Sequence, residues 1–172
     1  MRVNRKSLVA LAIVVGVPAA QASTLVQTQL EGVRGANIVC FVSQYLPPEA
    51  KALEPELVAI ATSALAAGGL KAVSTSDQYL VIDVSGEPVE SCPGKYLLSI
   101  RVAFKEPVLL KRAPEQHIPN SSSLATWEAS GAAVVPEADL PAQIRESVRS
   151  RVEYFVEIVQ RVNRSAASGA AR

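Results

Sequence analysis

The sequence predicts an α+β domain: a two-layer sandwich with a sheet of about four mainly antiparallel strands and two helices on one face. Three observations favour this class. A β-branched run follows Gly35, a long segment from Tyr96 alternates apolar and polar residues, and two segments repeat apolar residues at helical spacing. The order is strand, helix, three strands and helix, which suits two helices packed on one side of a sheet.

The first strand is predicted over residues 37–46, where β-branched and aromatic residues form a nearly unbroken run that ends at Pro47. Both faces of this strand are apolar. We therefore expect the face away from the helices to be covered by the N-terminal lead-in or by another chain.

The first helix is predicted over residues 55–69, with Glu56 in its first turn and two glycines at its end. A right-handed crossover through it would pair the first two strands in parallel.

The second strand is predicted over residues 72–84, and a turn over residues 86–94 leads into the third. The third strand, from Tyr96 to Val108, has the clearest period of two in the chain. Pro107 cannot donate a hydrogen bond to a neighbouring strand. The far end of this strand is therefore expected at a bulge or an open edge.

A loop from Lys111 to Ser123 holds the only histidine, and a fourth strand is predicted over residues 124–135. This strand contains Trp127 and is weakened by Gly131. A lone tryptophan in such a domain is expected to belong to the core. Asp139 then caps a long helix over residues 140–163, whose apolar stripe faces the sheet.

The N-terminus reads as a cleavable signal peptide. Basic residues at Arg2, Arg5 and Lys6 precede an apolar stretch, and small residues before Ser23 fit a signal peptidase that cuts between Ala22 and Ser23. The apolar stretch is shorter than the roughly 20 residues that cross a bilayer, so no stable membrane anchor is expected after cleavage. The expected divisions are a signal peptide at 1–22, a lead-in at 23–36, one globular domain at 37–164 and a disordered tail at 165–172.

Removal of the signal peptide leaves the mature chain with a slightly acidic net charge. The signal contains three of the 17 basic residues and none of the 16 acidic ones, which leaves 14 against 16. No cluster of lysine and arginine precedes the last helix, so nucleic acid is excluded as a partner. We expect a periplasmic or secreted protein.

Cys40 and Cys92 are the two cysteines of the chain. An exported protein meets oxidising conditions, so a disulfide between them is the leading hypothesis. The alternative is that Cys40 is a small buried hydrophobe in a strand and Cys92 an unpaired turn residue. The separation of the two residues, which the sequence does not give, decides between them.

With these elements laid out, the chain resembles small exported proteins of proteobacteria that have no established function. The likeness lies in the strand after Gly35, the alternating strand from Tyr96 to Val108, Trp127 and the closing helix from Ile144 to Asn163. It covers most of the mature chain. The resemblance implies the fold and export, and it supplies no catalytic residues.

The sequence contains no recognised catalytic, cofactor-binding or metal-binding motif. One histidine and two separated cysteines do not supply the three or four ligands of a zinc site. Cys40 with His117 is the single pair available for nucleophilic catalysis, but a thiolate inside a strand is hard to expose. Asp77 and Asp83 are explained more simply by a strand end and a solvated strand face. No cofactor is expected.

The leading functional hypothesis is therefore a non-enzymatic module of the cell envelope that binds a protein or another envelope component. The edge near Pro107 and the loop from Lys111 to Ser123 are its first candidate surfaces. One alternative is an enzyme with an unrecognised site. Another is a homodimer formed through the outer face of the first strand.

The arginines of the last helix are expected to form a solvated face among glutamates; they are Arg145, Arg149, Arg151 and Arg161.

Overall fold

The computed structural model describes residues 30–107 and 123–169. The signal segment, the cleavage position between Ala22 and Ser23, and His117 with most of its loop lie outside the described residues. The elements, in chain order, are β1 (Gly35–Val42), α1 (Pro48–Lys51), α2 (Glu54–Ala67), β2 (Lys71–Ala72), β3 (Tyr79–Pro88), β4 (Lys95–Pro107), β5 (Ser123–Pro136), a 3-10 turn (Glu137–Asp139) and α3 (Leu140–Gly169).

The five strands form one mixed sheet in the order β2-β1-β3-β4-β5. β1 is parallel to both of its neighbours, while the β3–β4 and β4–β5 pairs are antiparallel. The α+β class is confirmed, but the predicted count of about four mainly antiparallel strands is wrong. The predicted strand at 72–84 divides into β2 and β3, because two paired residues are too few to leave a period in the sequence.

The predicted parallel pairing of the first strand with the second long strand is confirmed. Residues from Asn37 to Val42 pair in register with residues from Tyr79 to Val84 of β3. β1 ends at Val42 rather than at residue 46, because Ser43 accepts a turn hydrogen bond from the Leu46 amide at 3.2 Å. Leu46 is 2% exposed, so the apolar run continues into the core after the strand has ended.

The core lies between one face of the sheet and the helices. Alternate residues of β3 and β4 are buried on this face, as the period of two predicts. Phe104 of β4 stacks on Phe155 of α3 with ring centroids 5.2 Å apart. Burying each side chain of this size contributes about 1.5–3 kcal/mol relative to exposure. The helix layer is therefore fixed by many such contacts along α3.

Both chain ends extend the domain beyond the predicted boundaries. Leu30 and Val33 of the predicted lead-in are buried in the core. Asn163 of α3 accepts a hydrogen bond from the Gly32 amide at 2.9 Å and donates one to the Val33 carbonyl at 3.2 Å. α3 continues to Gly169, so part of the predicted tail at 165–172 is helical.

Candidate binding edge

β5 is an edge strand whose outer side pairs with nothing among the described residues. The Glu137 amide donates to the Gly94 carbonyl at 2.9 Å, which sets the alternation of hydrogen bonds between β4 and β5. Odd-numbered residues of β5 from Trp127 to Val135 therefore bond to β4. The intervening residues direct their amides and carbonyls away from the sheet; they are Glu128, Ser130, Ala132 and Val134.

This edge lacks most of the features that keep edge strands from pairing. From Leu124 to Pro136 the chain carries one charged residue, Glu128, and no proline before Pro136. Lysines, prolines and bulges are the usual protection of an exposed edge. The bulge here lies near Thr126, where the register between β4 and β5 shifts. The stretch from Glu128 to Val134 is therefore open to another strand.

Arg151 of α3 lies across the middle of this stretch, on the helix face of β5. A Cβ atom added to Gly131 would lie 2.6 Å from Nη2 of Arg151. Nη1 donates to the carbonyl of Ser147, one turn earlier in the same helix, at 2.9 Å. Burial lowers the pKa of the Arg151 guanidinium. Within the described residues no carboxylate forms an ion pair with it.

Most arginines of α3 do meet a carboxylate, as the sequence predicts. The hydrogen bond from Arg145 lowers the pKa of Glu56 and raises that of Arg145 itself. Arg151 and Arg164 form no ion pair among the described residues, and Arg151 is the one of the two that lies against β5. The ion pairs on α3 are Arg145–Glu56 at 2.7 Å, Arg149–Glu146 at 3.1 Å and Arg161–Glu157 at 2.6 Å.

An aromatic cluster lies beside Arg151 along the same strand. Trp127 of β5 is 6% exposed and packs against Phe155 with ring centroids 5.1 Å apart, which confirms its expected place in the core. Tyr154 lies 6.2 Å from Trp127, centroid to centroid, and is 51% exposed. Tyr154 and Arg151 thus lie one turn apart on α3, beside Trp127 and Gly131 of β5 respectively.

The sequence prediction missed this site because it placed Arg151 on a solvated face. The signal was present in Gly131. A glycine inside a strand marks either weakness or the close approach of another group, and here the approaching group is the guanidinium of Arg151. Pro107, the predicted marker of an edge, instead pairs with Ser123 of β5, and the predicted irregularity is the bulge between Phe104 and Lys105.

The outer face of β1 is partly exposed. Phe41 is 57% exposed on the side away from the helices, and Val39 is half-buried beside it. β2 pairs with β1 at Gly35 and Ala36, so the rest of β1 has β3 on one side and, among the described residues, no strand on the other. No cover from the lead-in is seen within residues 30–36.

Both cysteines are free thiols in the structure. Cys40 is paired in register with Ile82, while Cys92 lies in the turn beyond Pro88, so about 20 Å of strand separates them. A disulfide needs Cα atoms within about 7 Å. The arrangement matches the alternative of a buried strand cysteine and an unpaired turn cysteine.

Cys40 is chemically protected. Burial, with a smaller contribution from the charges of Glu54 and Asp83, raises the pKa of its thiol to about 12. Its predicted base, His117, lies outside the described residues. Asp77 and Asp83 are both exposed. Asp77 precedes β3, whereas Asp83 lies four extended residues into it, about 13 Å along the strand from Tyr79, so the two carboxylates are not paired. Among the described residues no group of acidic, histidine and cysteine side chains could hold a metal ion.

The described residues form open grooves on the surface of the domain. One, of about 460 Å³, lies where α1 meets the start of α3, between Glu49 and Glu137 and over Leu140. Another, of about 430 Å³, runs between α2 and α3 beside Arg149 and Glu153. Neither brings a nucleophile and a base together. No helix within residues 30–107 and 123–169 has the length and apolar character to cross a membrane.

The chain was compared with family models, curated proteins and solved structures. No family model matches the chain, and no curated protein matches it. One similar solved chain comes from a dodecamer of a PelC variant of Paraburkholderia phytofirmans. It is 16% identical, the match covers 74% of this chain and 90% of that chain, and the TM-score is 0.40. Likeness at this level carries no argument about the fold or the function of this protein.

Proposed function

We propose that this chain is exported and acts, after signal cleavage, as a non-enzymatic binding module of the cell envelope that receives another protein at the β5 edge. The observation that carries the proposal is the open stretch of β5 from Glu128 to Val134. Addition of a strand to an exposed sheet edge is a recurring mode of protein recognition. The N-terminal sequence pattern supports the location, and the partner is accordingly an envelope protein.

The edge offers four residues whose backbone groups point outward, so a partner strand can form several main-chain hydrogen bonds. Each contributes a net of about 0.5–1.5 kcal/mol, because water is displaced from both sides. Backbone bonds alone do not select a sequence. Selection therefore depends on the side chains beside the edge, of which Arg151 and Tyr154 are the most prominent.

The chemistry of the described residues favours binding over catalysis. The candidate nucleophile Cys40 is 7% exposed, and its thiol stays protonated at neutral pH. The candidate carboxylates Asp77 and Asp83 are apart on the surface. The enzyme alternative therefore needs a site other than these residues and the two grooves described above.

A homodimer through the outer face of β1 is the second candidate, favoured by the exposure of Phe41. Replacing Phe41 with serine tests it. A dimer formed through this face dissociates in the Phe41→Ser variant, as measured by light scattering. A monomeric wild-type protein at micromolar concentration contradicts this candidate.

Site-specific photocrosslinking in the native envelope tests the leading proposal. A photoreactive amino acid replaces Ser130 on the β5 edge, and Ala66 on the exposed face of α2 serves as the matched control position. We expect one recurrent crosslinked protein from position 130 and none from position 66. We also expect the crosslink to disappear when Ala132→Pro is added. Equal crosslinking at both positions, or crosslinking that survives Ala132→Pro, contradicts the proposal.

A further inference from the structure

We propose that the strand received by β5 is an extended peptide with a carboxylate side chain opposite Gly131, which Arg151 binds. This inference rests on the proposed function and specifies the chemistry of the partner. It follows from three features of the described residues: the register of the open edge, the unpaired half-buried guanidinium of Arg151, and the exposed ring of Tyr154.

The register fixes where the partner's side chains lie. Gly131 bonds to β4, so in an added antiparallel strand it faces a residue in a non-hydrogen-bonded pair. Such pairs have Cα atoms about 4.5 Å apart, closer than the hydrogen-bonded pairs. The partner residue opposite Gly131 directs its side chain to the helix face of the sheet. This is the face on which the guanidinium of Arg151 lies.

Among the described residues, no carboxylate balances the charge of Arg151. Within this part of the chain its guanidinium forms one hydrogen bond, to a backbone carbonyl of its own helix, although part of its surface is removed from water. A guanidinium in this position binds a carboxylate with charge-assisted hydrogen bonds that are shorter and stronger than neutral ones. Because Gly131 has no Cβ atom, the guanidinium can lie close to the strand, with Nη2 only 2.6 Å from where a Cβ would be.

The flanking surface adds a second preference. Tyr154 is half exposed beside Trp127, which lies four residues before Gly131 on the same face of β5. A partner residue two positions from the carboxylate therefore projects over Ala129, next to the ring of Tyr154. An apolar side chain there would bury part of this ring. The preferred segment thus alternates, with an acidic and an apolar residue on the face that meets α3.

A second copy of this chain fits the site less well. Two β5 strands paired about their centres would bring both Arg151 side chains to the same face, within about 10 Å of each other. Like charges at this distance on a partly buried surface repel. Glu128 cannot neutralise them, because its side chain lies on the opposite face and pairs with Arg101 at 3.4 Å.

Titration with synthetic peptides tests the inference. The probe is a blocked seven-residue peptide with threonine at odd positions and valine, glutamate and valine at positions two, four and six. Two control peptides carry glutamine or lysine at position four. Binding to the mature protein is followed by the chemical shifts of the β5 amides, with peptide up to about 1 mM to detect weak affinity.

We expect the glutamate peptide to bind roughly tenfold more tightly than the glutamine peptide, and the lysine peptide more weakly still. The Arg151→Gln variant should bind the glutamate and glutamine peptides equally. The Arg151→Lys variant should retain part of the preference. The matched control Arg149→Gln, on an exposed and ion-paired arginine of the same helix, should leave the preference unchanged.

The outcomes separate this inference from the proposed function. If all three peptides shift the β5 amides equally and Ala132→Pro abolishes the effect, the edge binds strands but the acidic preference is wrong. An unchanged preference in Arg151→Gln has the same meaning. If no peptide shifts these amides, the inference is overturned, and photocrosslinking at Ser130 decides the proposed function separately. A concentration-dependent dimer that Ala132→Pro dissociates would show that a second copy is the occupant.

Discussion

Cys40 and Cys92 differ in their surroundings although both are free. Cys40 is held on the helix face of β1 against the core, and Cys92 lies half-buried in the β3–β4 turn. Spacing in the sequence could not distinguish this arrangement from a disulfide, because the distance between two strands and a turn is a property of the assembled sheet.

Alkylation of the native protein without a reductant should modify Cys92 and leave Cys40 free. A thiol with a pKa of about 12 has about a thousandfold less thiolate at neutral pH than one with the ordinary value of 9.0. Intact mass should therefore show one adduct in buffer and two in denaturant. A protein that takes no adduct until it is reduced would instead contain the disulfide.

Cys40 should also make stability fall at alkaline pH. Its thiol stays protonated in the folded chain up to a pKa of about 12, while the unfolded chain loses this proton near 9.0. The stabilising contribution is thus complete below pH 9 and is lost as the pH rises toward 12. Denaturant unfolding at pH 8 and pH 10 should show a smaller alkaline loss in Cys40→Ala than in the wild type. Equal losses would mean that Cys40 titrates normally.

At the scale of elements, β5 was predicted as a strand but its role as an open edge was not. Alternation and β-branched residues identify strands, whereas strand order depends on which partners the neighbouring strands take. The short β2 illustrates the same limit. Its pairing with Gly35 and Ala36 is invisible to any pattern of apolar residues.

Proline substitutions at adjacent positions should have opposite consequences for β5. The amide of Ala133 is directed to β4, so Ala133→Pro removes a ladder hydrogen bond and leaves its acceptor unpaired, which should cost about 1–3 kcal/mol. The amide of Ala132 points outward, so Ala132→Pro should change stability by no more than about 1 kcal/mol. Chemical denaturation measures both. A larger loss in Ala132→Pro would mean that the alternation in β5 is reversed.

At the scale of the whole molecule, the sequence predicted the two layers, both long helices and the parallel pairing of β1 with β3. Buried apolar residues such as Leu80, Ile100 and Val152 recur at strand or helix spacing, and this periodicity predicts the elements and the faces they bury. The candidate site could not be predicted in the same way. It depends on a contact between Arg151 of α3 and Gly131 of β5. The one local sign of this contact is the glycine inside the strand, and that sign does not say which group approaches.

The mature chain is predicted to begin at Ser23. The basic, apolar and small-residue parts of the first 22 residues occur in the order that signal peptidase recognises. N-terminal sequencing of the protein recovered from the periplasm or the medium should therefore start with Ser23. A product that keeps Met1 and remains with the membrane would show that the segment is an anchor.

Amide hydrogen exchange of the mature protein tests most directly whether the outer edge of β5 is open. We predict alternation along the strand: fast exchange at Glu128, Ser130, Ala132 and Val134, and slow exchange at Ala129, Gly131 and Ala133, which bond to β4. Uniformly slow exchange along these residues would show that the edge is already covered in the free protein, and the account of β5 as a binding edge would be wrong.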